Sequence, residues 1–301
     1  MIPNAGRTVI LSEILSISFS LIVLENENWV AVLPANLHEN QVFSHQGLTY
    51  GGLLYSEKLK LVDVIEIFQI ILIFLNEIKI EKLIYKSIPN IYYQKPAEEI
   101  KYALFLANAK LIRCDTLSVI DLSKKFKIAS GRLEGIKKGA KNNLEIREEN
   151  NFENFWKEIL IPNLFIKHQS QPVHSFDEIK QLKKLFPENI RQFNVYQNHK
   201  IVAGTTIFET NLVAHSQYIS GNESKSQNGS LDFLYHYLIT DFYKNKKFLD
   251  FGTSNENNGL RLNSGLNFWK ESFGTDTIVQ EFYEINTKNY DLLSNFLLNK
   301  Y

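Results

Sequence analysis

His215 and Asp250 are titratable residues placed in β-rich apolar runs of this chain. His215 lies in the run AHSQYISGN (214–222), with Gln217 and Tyr218 close behind it. An apolar strand tunes the proton affinity of a histidine around neutrality, which suits a general base. A core histidine hydrogen-bonded to backbone explains the same placement. Strand alternation predicts His215 and Gln217 on one face, and Ser216 and Tyr218 on the other. Asp250 closes a short apolar run, Phe248-Leu249-Asp250-Phe251, ahead of the polar loop Gly252-Thr253-Ser254-Asn255. In open α/β sheets ligands gather outside the carboxyl ends of strands, so Asp250, Ser254 and Asn255 are candidates to orient an amine or hydroxyl. Capping the following turn is the alternative for Asp250. Lys270 follows Trp269 on a helical stretch that Asn263 opens and Leu266 continues, and there a lysine is ordinarily solvated.

A second set of candidates lies outside this group. His45 sits between Ser44 and Gln46, just before Tyr50-Gly51-Gly52. Paired glycines allow close backbone approach to a ligand, or simply a tight turn. His174 precedes Ser175-Phe176-Asp177-Glu178, a capping box, and either faces an anion or fixes the start of the helix. Arg132, Lys137, Lys138 and Lys141 form a basic face, which meets phosphates or is merely solvated. Cys114 is the only cysteine, so an intramolecular disulfide and a zinc site of paired cysteines are both excluded, and no metal site is expected.

The elements that would position these residues occur in a repeated order. Residues 20–52 read as a meander of three strands: Ile22-Val23, Trp29–Ala35 and Val42–Tyr50, separated by polar turns. Residues 192–222 read the same way, with turns at Gln197–Lys200 and Glu209–Asn211. Each meander leads into a helix (Ser56–Glu77; Ser230–Tyr243), a short strand (Lys82–Tyr85; Phe248–Phe251), a second helix (Ala97–Asn108; Leu260–Glu271) and a last strand (Leu117–Asp121; Ile278–Tyr283). Two related α/β (α+β) domains with mixed sheets account for this order, residues 1–125 and 126–285. Residues 20–125 and 185–290 are then expected to superpose with one strand order. Asn286 to Tyr301 reads as a closing helix with Leu292, Leu293, Phe296 and Leu297 on its apolar face.

Composition narrows the partners. Lys+Arg and Asp+Glu stand at 33 each, and such neutrality argues against a duplex-DNA binder, which needs a basic excess. Hydrophobic residues make up 44%, enough for two buried cores. The apolar stretch Ile14–Leu24 has no small-residue cleavage site after it, and Leu61–Leu75 is short for a bilayer and carries Asp63 and Glu66. A cytoplasmic protein without membrane insertion is expected.

The motifs SHQGLTYGG (44–52), PVHS (172–175), AHSQYISGN (214–222), Leu249-Asp250-Phe251-Gly252 and LNSGLNFWKESFG (262–274) resemble the FemAB-like branch of the Gcn5-related N-acyltransferase (GNAT) superfamily. The resemblance is to its tandem-domain bacterial group, found in cell-surface polysaccharide loci. It implies two tandem GNAT-like domains, with the chain end, 286–301, returning to the first. It also implies N-acyl or aminoacyl transfer onto an amino group of a cell-envelope sugar or peptide precursor. His215, Asp250 and Lys270 are then the catalytic candidates; the resemblance places Lys270, after Trp269, beside the transfer centre, where it neutralises developing charge. His45, Tyr50, Gln217, Tyr218, Ser254, Asn255, Asn263 and Trp269 are the substrate-binding candidates. Ordinary acetyl-CoA users cradle a pyrophosphate with an Arg/Gln-x-x-Gly-x-Gly/Ala loop at a helix start, where free amides favour phosphate. Neither Gly52–Ser56 nor Ser226–Ser230 fits that pattern, so no tightly bound cofactor is expected and the donor is aminoacyl-tRNA or acetyl-CoA. The rivals are a CoA-dependent N-acetyltransferase of a small amine or amino sugar, and a GNAT-fold protein that only binds a glycan or partner.

Overall fold

The computed structural model describes residues 7–12, 19–47, 49 and 51–297. Tyr50, residues 14–18 of the first apolar stretch and residues 298–301 of the closing helix lie outside the described residues. The chain groups into two compact units: unit 1 runs to Asp115 and resumes at Val279, and unit 2 is Thr116–Ile278.

In unit 1, strands β1 (Arg7–Ser12), β2 (Ser20–Glu25) and β3 (Asn28–Leu33) are antiparallel neighbours. A hairpin of β4 (Asn36–His38) and β5 (Gln41–Ser44) follows, and β6 (Leu54–Tyr55) returns to pair with β3. Helix α1 (Leu61–Glu77) then leads to β7 (Lys82–Lys86), which lies parallel to β5. The expected meander over 20–52 is thus divided between two sheets. Pro34 stands at the division, and without an N–H it cannot carry a ladder from β3 into β4. The third strand also stops at Ser44, short of Tyr50. Helix α1 starts five residues after Ser56, because 54–55 are drawn into the β3 ladder and the Asp63 carboxylate takes the Lys60 N–H at 2.9 Å. Seven apolar side chains of α1, from Val64 to Leu75, are fully buried. At about 1.5–3 kcal/mol each, that burial outweighs the few tenths by which each of its β-branched residues disfavours a helix.

Helix α2 (Glu99–Leu106) and β8 (Lys110–Asp121) carry the chain into unit 2. There α3 (Ser130–Lys141) and β9 (Glu145–Glu149) come first, then a π-helical turn at Asn154–Leu160 running on into α4 (Ile161–His168), and α5 (Phe176–Leu185). Ser175 and Glu178 form the predicted capping box at the start of α5. Strands β10 (Ile190–Gln197), β11 (Lys200–Glu209) and β12 (Val213–Gly221) make an unbroken antiparallel meander flanked by β9. The short α6 (Lys225–Asn228) and α7 (Ser230–Tyr237) follow, and β13 (Phe248–Thr253) lies parallel to β12 and antiparallel to the end of β8. A small ribbon of β14 (Asn255–Glu256) and β15 (Arg261–Leu262) leads to α8 (Ser264–Glu271). Last come β16 (Asp276–Asn286), whose later half pairs with β7, and α9 (Tyr290–Leu297) in unit 1.

Both units therefore carry a strand, a helix and a parallel strand in that order: β5-α1-β7 and β12-α7-β13. Their meanders differ, divided in unit 1 and continuous in unit 2. Among the described residues no helix is long and apolar enough to cross a membrane.

Candidate functional site

Strands β12 and β13 open side by side, and their register sets His215 directly against Asp250. His215 Nδ1 and Asp250 Oδ2 are 2.9 Å apart, with the histidine 7% exposed and the aspartate fully buried. The other carboxylate oxygen, Oδ1, accepts the Gly252 backbone N–H at 2.7 Å. An ionised carboxylate only accepts, so Nδ1 carries a proton and Nε2 presents a lone pair. Nε2 has no hydrogen-bond partner among the described residues.

Lys270 is not solvated: helix α8 turns it inward, 2% exposed, with Nζ donating to the carbonyl oxygens of Gly252 at 3.0 Å and Thr253 at 2.6 Å. Burial pushes its pKa down to about 8, and the Asp250 charge opposes that shift. An ammonium has three N–H bonds, so one is left without a protein partner among the described residues. Gly252 is the pivot that the sequence left unnoticed as a site residue. It donates to Asp250, accepts from Lys270, and holds φ at +71°, a region costly for any side chain. A Cβ there would also meet His215 Cε1 at 3.3 Å. The Asp-x-Gly spacing at a strand end was the available signal.

Alternation fails between His215 and Tyr218. Phe208 pairs with His215, Ile207 with Ser216 and Thr206 with Tyr218, which leaves Gln217 as the extra residue of a bulge. His215 and Tyr218 consequently share a face, with Ser216 on the other, contrary to the expected pattern. The Tyr218 ring stands edge-on to Trp156, and its hydroxyl meets His174 Nδ1 at 2.8 Å and accepts the His174 N–H. His174 thus meets a tyrosine, and burial lowers its pKa.

Three further candidates spend polar atoms within the fold. Asn255 Oδ1 accepts from the N–H and hydroxyl of Thr116, both at 2.7 Å. Asn263 caps α8 through the Leu266 N–H, and Trp269 Nε1 donates to Asp232. Ser254, by contrast, is buried with its hydroxyl unpartnered among the described residues. His45 lies in unit 1, half-buried, its Nδ1 also without a hydrogen-bond partner among the described residues and its pKa lowered by burial. On the basic face, Lys137, Lys138 and Lys141 are exposed, whereas Arg132 turns inward to Asp232 at 2.6 Å and Ser272 at 2.9 Å. Among the described residues no three histidine, cysteine or acidic side chains gather as metal ligands would.

The start of α7 follows a meander, the place where acetyl-CoA users hold phosphate. Here α3 lies across it. A Cβ on Gly229 would collide with the Gly135 carbonyl oxygen, and one on Gly139 would come within 2.5 Å of Phe233 Cβ. Asn142 Nδ2 donates to the Asn228 carbonyl, and the Arg132–Asp232 ion pair fastens α3 to the first turn of α7. The Asn228 side-chain carbonyl takes the Ser230 N–H at 3.0 Å, so that amide is already engaged.

No family profile matches the sequence. No curated protein matches it either. Solved structures do. The C-terminal domain assigned to a lysylphosphatidylglycerol synthetase of Agrobacterium fabrum superposes with a TM-score of 0.60 at 12% identity, over 97% of this chain and 87% of that one. L-PGS from Bacillus licheniformis gives 0.60 at 12% identity, over 96% and 88%, and FemX gives 0.60 at 9% identity, over 94% and 90%. The chain has the mixed α/β, FemAB-like acyltransferase fold that its motifs resemble.

Proposed function

We propose that the chain transfers an acyl or aminoacyl group to an amino group of a cell-envelope sugar or peptide precursor in the cytoplasm. His215, Asp250 and Lys270 of unit 2 would form the reaction centre. The observation that carries this reading is a buried lysine with a spare N–H, joined through one glycine to an aspartate-held histidine.

Amide formation joins the acceptor nitrogen to the acyl carbon and releases the donor's oxygen. It needs a base for the amine's proton and a positive group for the charge that develops on oxygen. With Asp250 fixing its tautomer, His215 Nε2 is free to take the proton. The Lys270 ammonium offers its third N–H to the developing oxyanion or the departing oxygen. Being held by two carbonyls, it is positioned before the substrate arrives, and such preorganisation gives electrostatic stabilisation its effect.

Aminoacyl-tRNA is the donor this reading favours. The covering of α7 by α3 supports it, since a pyrophosphate needs open amides at a helix start. That the fold is shared with a protein assigned as a lysylphosphatidylglycerol synthetase is in keeping with aminoacyl chemistry. Calorimetric titration with both donors tests the choice. Saturable binding of aminoacyl-tRNA with no micromolar binding of acetyl-CoA is expected; micromolar acetyl-CoA binding would contradict it.

A further inference from the structure

The face of the sheet that carries His215 also meets a second imidazole. Phe208 of β11 stands directly opposite His215 in the ladder, so the two side chains leave the same face about 5 Å apart at Cβ. The His174 ring lies 5.9 Å from the Phe208 ring and 6.0 Å from that of Tyr218, which shares the His215 face. His215, Phe208, His174 and Tyr218 thus form one run of neighbours within unit 2. The two imidazoles present opposite chemistry. His215 offers a lone pair at Nε2, because Asp250 accepts from Nδ1. Tyr218 Oη accepts the His174 backbone N–H at 3.1 Å, and a side-chain hydrogen bond from Gln217 favours the ionised form of the same hydroxyl, as a donor does. Both lone pairs of that oxygen are then engaged, and its hydrogen goes to His174 Nδ1, 2.8 Å away. Burial lowers the His174 pKa, so the ring is neutral at neutral pH and carries its own hydrogen on Nε2. That Nε2 has no hydrogen-bond partner among the described residues.

We propose that this face binds the acceptor and that the acceptor is an amino sugar, with its amine at His215 Nε2, an oxygen of the same sugar at the His174 Nε2–H, and its C–H face on Phe208. The inference rests on the transfer chemistry proposed above and names the acceptor for it. A lone pair and an N–H set on either side of an apolar ring match a rigid molecule that carries an amine, a hydroxyl and an apolar face at fixed separations. Phe208 is partly exposed and is backed by the Trp156 cluster, so it can serve as that platform. A peptide precursor fits less well, because it brings carboxylates, and the charge that acts on His174 is already the Glu178 carboxylate. Tyr218 is the positioning residue: it fixes the His174 tautomer, and the Trp156 ring, 4.9 Å away, holds it in place.

The test uses the full chain without an acyl donor, so that binding is read apart from transfer. Methyl glycosides of the positional isomers of aminodeoxyglucose are titrated by calorimetry, each beside analogues lacking one hydroxyl. The tripeptide alanyl-glutamyl-lysine is the rival acceptor. Saturable binding of at least one amino sugar, tighter than that of the tripeptide, is expected. His174→Phe keeps a ring in place but removes the N–H, and should weaken that sugar by about fivefold, as the loss of one hydrogen bond does. Removing the contacted hydroxyl from the sugar should cost the unaltered chain the same factor and His174→Phe nothing, a coupling that general loosening of the fold does not produce. Tyr218→Phe, which releases the His174 tautomer, should blunt the contribution of the same hydroxyl. Should His174→Phe prove unfolded by circular dichroism, Phe208→Leu replaces it and should weaken every amino sugar while leaving the tripeptide unchanged. No saturable binding of any amino sugar, tighter binding of the tripeptide, no coupling between His174 and any hydroxyl, or unaltered sugar binding in Phe208→Leu where it stands in, would overturn the proposal. Binding as expected with no transfer from either donor would leave this site standing and count against the transfer reading, and transfer to peptide amines alone would do the reverse.

Discussion

Lys270 is the residue on which the chemistry can be separated from the fold. The helical pattern alone implied a solvated side chain, and only the resemblance to acyltransferases argued for a role; neither foretold its burial against two carbonyls. Truncation to alanine would leave a hole as well as two bare acceptors, so Lys270→Met, which fills the space and removes only the charge and its N–H groups, is the cleaner change. Turnover should fall by about a hundredfold or more, as when one preorganised donor is removed from a reaction centre, while the circular dichroism spectrum is unchanged. His215→Asn should lower turnover similarly. Asp250→Asn should do so through the wrong tautomer, since the amide can donate to Nδ1 and move the proton to Nε2. The pH dependence has a definite sign. Lys270 is charged below about pH 8, so activity that uses the cation is full there and declines as pH rises through 8. Stability moves the other way. The unfolded chain binds this proton more tightly from about pH 8 up to the ordinary 10.5, so the fold gains stability across that interval and Lys270→Met loses part of the gain. His215 and Asp250 were legible as separate candidates, one within a meander strand and the other at the end of a short apolar run. Gly252 was not, because its part rests on one backbone N–H and one carbonyl that carry no side-chain signature.

At the scale of elements, the packing of α3 on α7 makes the firmest prediction. Gly229 holds φ at +69°, and a methyl group there would collide with the Gly135 carbonyl oxygen. Gly229→Ala should destabilise by roughly 1–3 kcal/mol through left-handed strain and the displaced helix, lowering the melting temperature by several degrees. A melting temperature within one degree of the parent, a margin of about 0.5 kcal/mol at this size, would show that α3 does not sit there. Helix and strand order was readable from periodicity, and the Ser175–Glu178 cap from its spacing. Two departures had local causes that periodicity does not register. One is Pro34 dividing the first meander, and the other is the bulge at Gln217, which turned Tyr218 onto the His215 face and into the Trp156 cluster. Four substrate-binding candidates had polar atoms committed within the fold: Asn255 and Asn263 in a loop and a cap, as short polar side chains often are, and Tyr218 and Trp269 by packing that paired their polar tips with His174 and Asp232.

For the whole molecule, sequence order and structural grouping part company at two strands. The end of β8 pairs with β13 within unit 2, and the later half of β16 pairs with β7 within unit 1. Ile285 and Leu293 also belong to the unit 1 core. A chain ending at residue 275 should therefore leave β7 without its antiparallel neighbour and fail to fold cooperatively, which limited proteolysis would register as rapid loss of residues 7–115. Such exchange cannot be read from linear patterning, because each strand looks complete where it stands. The central claim is that unit 2 moves an acyl group with His215, Asp250 and Lys270. It is tested most directly by following radiolabelled aminoacyl groups from tRNA to a panel of amino-sugar and peptide-precursor amines. Transfer to an amine by the unaltered chain, falling about a hundredfold in Lys270→Met, is the predicted result. Equal transfer by the two chains, or no transfer from either aminoacyl-tRNA or acetyl-CoA to any amine, would contradict it.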